Sequence, residues 1–265
     1  MIGYDELLHV VKNESDLEEF LTREKEYEYI YNYSLIRQNL LEWFEFDSDA
    51  KLLEIGAECG ALSDLFCRKV KEVVALDDDE KKCEINKARN SKHDNITIIS
   101  DIDSYKDKNE KFDYVTVIGG FEIGKMELAK KYIKDGGTLI IATDNKYGIK
   151  NWSGMPDGNT GEFFDSIEGY NDKEIDSSYS KKSLEKIIKE AGFKEVDFYY
   201  PVPDYIFPME IYSQEYLPKN GSIMVKTPSY KKERYEVFDE VKAINTICDD
   251  GMYEQFANSF LVICK

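Results

Sequence analysis

Histidine is nearly absent from this chain, with two residues, His9 and His93, in 265. That excludes a histidine-rich metal site. His9 lies in a helical stretch and His93 in a polar loop, where both read as bystanders rather than bases. Cysteine is sparse as well: five residues, an odd number, with no CxxC among them. Such usage fits reduced thiols and excludes a disulfide scaffold or a zinc site, so no metal is expected. No run of about 18 apolar residues exists, so no membrane-spanning helix is expected. The N-terminal residues lack a basic segment followed by an apolar one, so no signal peptide is expected and the predicted location is cytoplasmic. Positive charge is short: 35 Lys and Arg face 53 Asp and Glu, a net charge of −18. A chain so acidic repels phosphate backbones and anionic lipid, so nucleic acid is not an expected partner. The best basic run, Lys231-Lys232-Glu233-Arg234, is interrupted by an acid and reads as a solvated helix face.

What is present can build a core: 42% of residues are hydrophobic and 13% aromatic. Residues 1–45 read as a helical cap, with Leu17, Phe20 and Leu21 at i, i+3, i+4 spacing and Tyr33–Phe44 continuing the style. The period then changes. Short apolar runs at Lys51–Ile55, Val73–Leu76, Ile96–Ile99, Tyr114–Ile118 and Thr138–Ala142 alternate with amphipathic stretches near 61–70, 79–90 and 125–134. Buried runs alternating with helices predict a parallel, doubly wound sheet. Ser180–Ala191 reads as a helix with Ser180 as its N-cap, Val196–Tyr200 as a strand and Phe260–Cys264 as the last strand. The expected fold is α/β and Rossmann-like, with seven strands, mostly parallel, in one domain over 46–265. Long insertions are expected at about 147–179 and 201–257.

The chemistry-bearing motif is Leu53-Glu54-Ile55-Gly56-Ala57-Glu58-Cys59-Gly60, a strand, a glycine-containing turn and a helix. Glycines let the backbone approach a ligand, and a helix N-terminus offers free N–H groups. Asp77 ends the next strand, 21 residues after Gly56, where an acid is placed to accept hydrogen bonds from ribose hydroxyls. Asp101 ends the third strand. All three positions fall at strand carboxyl ends, where open α/β sheets bind ligands.

This pattern resembles the class I S-adenosylmethionine-dependent methyltransferases. Their first motif matches Leu53–Gly60, their ribose acid Asp77 and their adenine-side acid Asp101. The resemblance implies S-adenosylmethionine as cofactor, held by Glu54, Gly56, Glu58, Gly60, Asp77, Asp101, Ile102 and Gly119. A narrower resemblance, to bacterial methyltransferases associated with lipopolysaccharide and other surface-polysaccharide gene clusters, rests on Tyr33–Trp43, Ile85–Asn90, Asp144–Lys150, Thr160-Gly161, Phe164–Tyr170 and Tyr199–Tyr205. It implies methylation of a small-molecule or lipid-linked saccharide. One departure stands out: Glu58 occupies a position that is usually glycine, where it either attracts the sulfonium or repels the methionine carboxylate and fills the pocket.

Methyl transfer from a sulfonium is an in-line displacement driven by orientation and exclusion of water, aided by a general base for a sugar hydroxyl. Glu122, after the fourth strand, is either that base or a solvated loop acid. Asp144, after the fifth, is either the base or, with Asn145, a turn former. Arg37 and Lys146 either bind a phosphate of the substrate or make surface salt bridges. Tyr147, in the family-like segment Asp144–Lys150, is expected to bind substrate beside Lys146. Trp152, Tyr170 and Tyr205 either stack on sugar rings or pack a lid. Two other functions compete with the enzyme reading. One is a degenerate, non-catalytic methyltransferase-like module that binds a partner, favoured by Glu58. The other is a nicotinamide-dependent oxidoreductase, disfavoured because Gly56 and Gly60 do not make GxGxxG.

Overall fold

The structure, a computed structural model, describes residues 2–105, 110–170, 178–229 and 233–265. It divides into two compact units. One comprises Met1–Ile118 and Glu127–Ile140, the other Gly119–Met126 and Ile141–Lys265.

The first unit opens with α1 (Tyr4–Asn13), α2 (Leu17–Arg23) and α3 (Tyr27–Tyr33). The helix expected from Tyr33 onward breaks at Ser34, whose backbone is extended and whose Oγ accepts the Ile36 N–H. A 3-10 turn, Leu35–Gln38, then leads into α4 (Asn39–Glu42). Phe20 meets Tyr29 edge-on at 4.9 Å, and these rings pack with Leu7, Val10, Tyr33 and Ile85. Burial of this cluster, rather than the exposed pairs Lys81–Asp5 and Lys12–Glu84, fixes the cap, since exposed ion pairs contribute little.

The strands β1 (Lys51–Ile55), β2 (Glu72–Leu76), β3 (Ile96–Ile99) and β4 (Phe112–Ile118) follow, with α5 (Ser63–Lys69) and α6 (Glu80–Arg89) between them. Leu52, Leu53, Val73 and Val74 are fully buried, as apolar runs in a parallel sheet must be. β1 pairs in parallel with β2 on one side, Ile55 opposite Leu76, and with β4 on the other, Ile55 opposite Val117. Chain progression therefore reverses between β1 and β4. Outside the carboxyl ends of such a strand pair, a doubly wound sheet leaves its crevice.

α7 (Ile123–Tyr132) and β5 (Ile133–Asp144) run through both units. The second unit contains α8 (Ile149–Trp152), α9 (Asp165–Glu168), α10 (Lys181–Glu190), β6 (Val196–Val202), β7 (Glu210–Ser213), α11 (Glu240–Asp249), α12 (Tyr253–Phe256) and β8 (Ser259–Cys264). Ser180 caps α10 by accepting the Ser183 N–H. β6 is antiparallel to both β7 and β8, with Phe198, Tyr200 and Phe260 in the core. The strand order is β3-β2-β1-β4-β5-β8-β6-β7, an α/β Rossmann-like fold with antiparallel strands near the C-terminus.

The sheet has eight strands, one more than the sequence predicts. The extra one, β7, lies inside the stretch read as an insertion. Its Glu-Ile-Tyr-Ser run carries no buried period, and hydrogen bonding to β6 recruits it. The basic run at 231–234 is corrected too. Lys231 and Lys232 lie outside the described residues. Arg234 is not on a helix, and its guanidinium is buried in an ion pair with Glu240. Among the described residues, no helix is long and apolar enough to cross a membrane.

Candidate functional site

The turn after β1 folds back on the end of β2. The N–H groups of Gly56 and Ala57 both reach the Leu76 carbonyl, at 2.8 and 2.9 Å. The next N–H, that of Glu58, donates to Asp77 Oδ2 at 2.8 Å, and Asp77 Oδ1 accepts the Asp79 N–H at 3.1 Å. The predicted motif and the predicted ribose acid are thus joined directly. Gly60 must be glycine: its φ is +77°, and a Cβ there would lie 2.3 Å from Asn86 Oδ1. That asparagine is fully buried and held by Ser63 and Asn90. Asp101 is exposed, and its Oδ1 caps the short turn Ile102–Ser104 by accepting the Asp103 N–H. Ile102 is half-buried on that turn.

Glu54, on β1, is almost wholly buried. Asn86 Nδ2 donates to Ser63 Oγ, and Ser63 in turn donates to Glu54 Oε2 at 2.6 Å. Burial pushes the Glu54 carboxyl up to about 8, against the Ser63 bond and the charge of Arg37; Glu58 and Asp77 add to the rise.

Glu58 keeps a glycine's backbone. Its φ is +48°, left-handed and rare for a residue with a Cβ. The side chain turns to the helical cap. Oε2 accepts the Tyr31 hydroxyl at 2.8 Å and an Arg37 N–H at 3.5 Å. Arg37 also donates to the Tyr31 carbonyl and lies 4.1 Å from the Tyr31 ring centre. Its side chain is 6% exposed. Arg37 is therefore not a surface residue but the buried member of a guanidinium–phenol–carboxylate cluster on the first motif, whose Tyr31 and Glu58 are half-buried.

A family model described as a methyltransferase domain matches residues 25–197. The chain belongs to the methyltransferase-domain family. The match spans α3, the β1 turn, Asp77, Asp101 and the start of β6. Solved structures agree with the fold. A chain in the complex between the Haloferax volcanii Trm112 methyltransferase activator and a methyltransferase aligns over 96% of each chain, at 16% identity and a TM-score of 0.52. Phosphoethanolamine N-methyltransferase 1 of Haemonchus contortus, solved with phosphoethanolamine and S-adenosylhomocysteine, aligns over 99% of this chain and 50% of its own, at 11% identity and a TM-score of 0.50. No curated protein matches the sequence.

Against this methyltransferase-domain turn, S-adenosylmethionine finds suitable polar groups. Gly56 carries no side chain at the turn, and each Asp77 oxygen has a lone pair left beyond the N–H it accepts. The recess at the β1–β4 switch point is lined by Arg37, Glu54, Gly56, Glu58, Leu62 and Ile118, and holds about 10 Å³. That is space for one water; Asp77, Gly60 and Asp101 are not part of its lining, so the recess is only the inner corner of the predicted cofactor site.

The other predicted residues lie in the second unit. Gly119 has φ +82°, and a Cβ on it would meet the Tyr205 hydroxyl at 3.3 Å. Tyr205 and Tyr170 are buried. Tyr170 donates to Asp157 Oδ2 and accepts from Asn159, which fixes a loop corner. Tyr147 and Trp152 are 38% and 39% exposed, so part of each ring is open to solvent. Lys146 is half-buried, its ammonium 5.6 Å from the Tyr147 ring centre. Glu122 is exposed just before α7. Asp144, at the end of β5, accepts a 2.5 Å bond from the buried Lys150, which also lies 3.6 Å from Asp204. Burial works against the Lys150 charge, but Asp144 and Asp204 outweigh it and raise its pKa. Asn145 donates to the Gln255 and Ala257 carbonyls and accepts the Tyr147 N–H.

Sequence reasoning missed Tyr31 and Lys150. Lys150 sat inside the family-like Asp144–Lys150 segment, so its six-residue spacing from Asp144 was the available signal. Tyr31 had none, because its partner lies 27 residues away.

Proposed function

We propose that this chain is an S-adenosylmethionine-dependent methyltransferase. The observation that carries the reading is the junction of the β1 turn with the end of β2: two left-handed glycines, a buried Glu54 and an Asp77 bonded to the turn itself. The cofactor, when bound, supplies an activated methyl group on a cationic sulfur. The chain's own contribution is positional. Asp77 offers its remaining lone pairs to a pair of hydroxyls, Glu54 places a carboxyl beside the turn, Gly56 clears the approach, and Gly60 lets the turn pack on Asn86. Asp144 is the candidate base for the acceptor, and its ion pair with Lys150 holds it in one orientation. The half-exposed rings of Tyr147 and Trp152 suit the face of a sugar, in keeping with a saccharide acceptor.

One observation favours a second reading, a non-catalytic module: Glu58 puts a side chain at a left-handed turn position that suits glycine. Calorimetric titration with S-adenosylhomocysteine separates the two. The enzyme reading expects saturable binding that Asp77→Ala weakens by about tenfold to a hundredfold, the loss of one or two charge-assisted hydrogen bonds. Unchanged affinity in that variant would show that Asp77 does not hold the ligand.

A further inference from the structure

Glu58 combines three properties that packing alone does not require. It holds a left-handed backbone, φ +48°, a conformation that costs a non-glycine residue of order 1 kcal/mol or more. The backbone function of this position is complete without a side chain, because the bond to Asp77 comes from the Glu58 N–H. The side chain is nonetheless engaged, with one carboxylate oxygen on both the Tyr31 hydroxyl and the Arg37 guanidinium. Glu58 and Arg37 both line the recess at the strand pair where the sheet reverses, which has a volume of about 10 Å³, room for one water. Strain kept at a ligand-facing turn, and relieved by nothing in the turn, points to a role for the side chain itself.

We propose that Glu58 is an internal ligand of its own site. Its carboxylate occupies the buried guanidinium of Arg37 and, latched by Tyr31, keeps the recess shut until an incoming ligand displaces it. The proposal rests on the cofactor reading above and adds the regulation of that site. Ligand-free protein is held in a closed state, so the apparent affinity is the intrinsic affinity reduced by the fraction of molecules in which the latch is open. The latch belongs to the helical cap as much as to the motif, because both partners of the carboxylate come from residues 31–37.

The test is calorimetric titration of the full chain with S-adenosylhomocysteine, comparing wild type, Glu58→Gly and Tyr31→Phe. Glu58→Gly suits the backbone already present and removes the plug. Tyr31→Phe leaves the turn untouched, keeps the ring under Arg37 and removes only the latch hydroxyl, so it serves if Glu58→Gly fails to fold. The expected result is about tenfold or more tighter binding for Glu58→Gly and a smaller gain, roughly two- to fivefold, for Tyr31→Phe. Equal affinity in all three proteins overturns the latch and leaves the cofactor reading standing. Absence of binding in all three overturns both.

Discussion

Glu54→Gln isolates the cost of a buried carboxyl beneath the β1 turn. Glu54 is 4% exposed, and burial raises its pKa from an ordinary 4.5 to about 8 in the folded chain. The folded state thus keeps a proton that the unfolded chain gives up. Stability associated with this group is complete below pH 4.5 and is lost as pH rises toward 8. Each pH unit inside that window removes about 1.4 kcal/mol, so up to about 5 kcal/mol is at stake, the upper limit for a site that does not relax. Glutamine keeps the shape and still accepts the Ser63 hydroxyl, but it cannot ionise. The expected result of urea unfolding is near-equality of the two proteins at pH 5. A stabilisation of the variant then grows steadily to several kcal/mol by pH 8. A difference that stays constant across this range would refute the reasoning, because it would mean that Glu54 is charged at every pH tested or is hydrated in place.

Three further outcomes are expected. Gly60→Ala combines a left-handed φ with a Cβ 2.3 Å from Asn86 Oδ1, and should destabilise by at least about 2 kcal/mol in denaturant unfolding. Phe20→Ala empties the aromatic cluster of the cap and should cost about 3 kcal/mol by the same measurement. Burial alone would raise the pKa of Asp64, but bonds from Lys92, His93 and Gln38 outweigh it and hold the carboxyl well below its ordinary 3.8. Its stabilisation is present above pH 3.8 and lost as pH falls below that. Asp64→Asn should therefore flatten the acid limb of a thermal-melting profile, most visibly below pH 4.

The first four strands were legible because buried parallel strands are written as uninterrupted apolar runs, and Gly56, Asp77, Asp101 and Gly119 mark their ends in linear order. β7 was not legible, since four half-polar residues become a strand only when β6 offers an edge. The replacement at Glu58 was visible in the sequence, but its consequence was not. Nothing local says that the residue keeps a glycine's φ, or that its carboxylate finds a phenol 27 residues and a guanidinium 21 residues earlier. Arg37 shows the same limit: a basic residue in a helical stretch reads as a surface group, and only tertiary packing turned it inward. In the second unit, Asp144 was legible by its place at a strand end, whereas the Lys150 ammonium that faces it depends on how α8 returns toward that end.

The backbone of residue 58 bears on heredity as well as on energetics. Every glutamate codon becomes a glycine codon by one base change at its second position, and the turn already has the conformation that glycine prefers. The swap also takes the carboxylate away from the buried Arg37 guanidinium, a loss that opposes the relief of backbone strain. On the latch proposed above, the closed and open forms of this site are one substitution apart in mutational space.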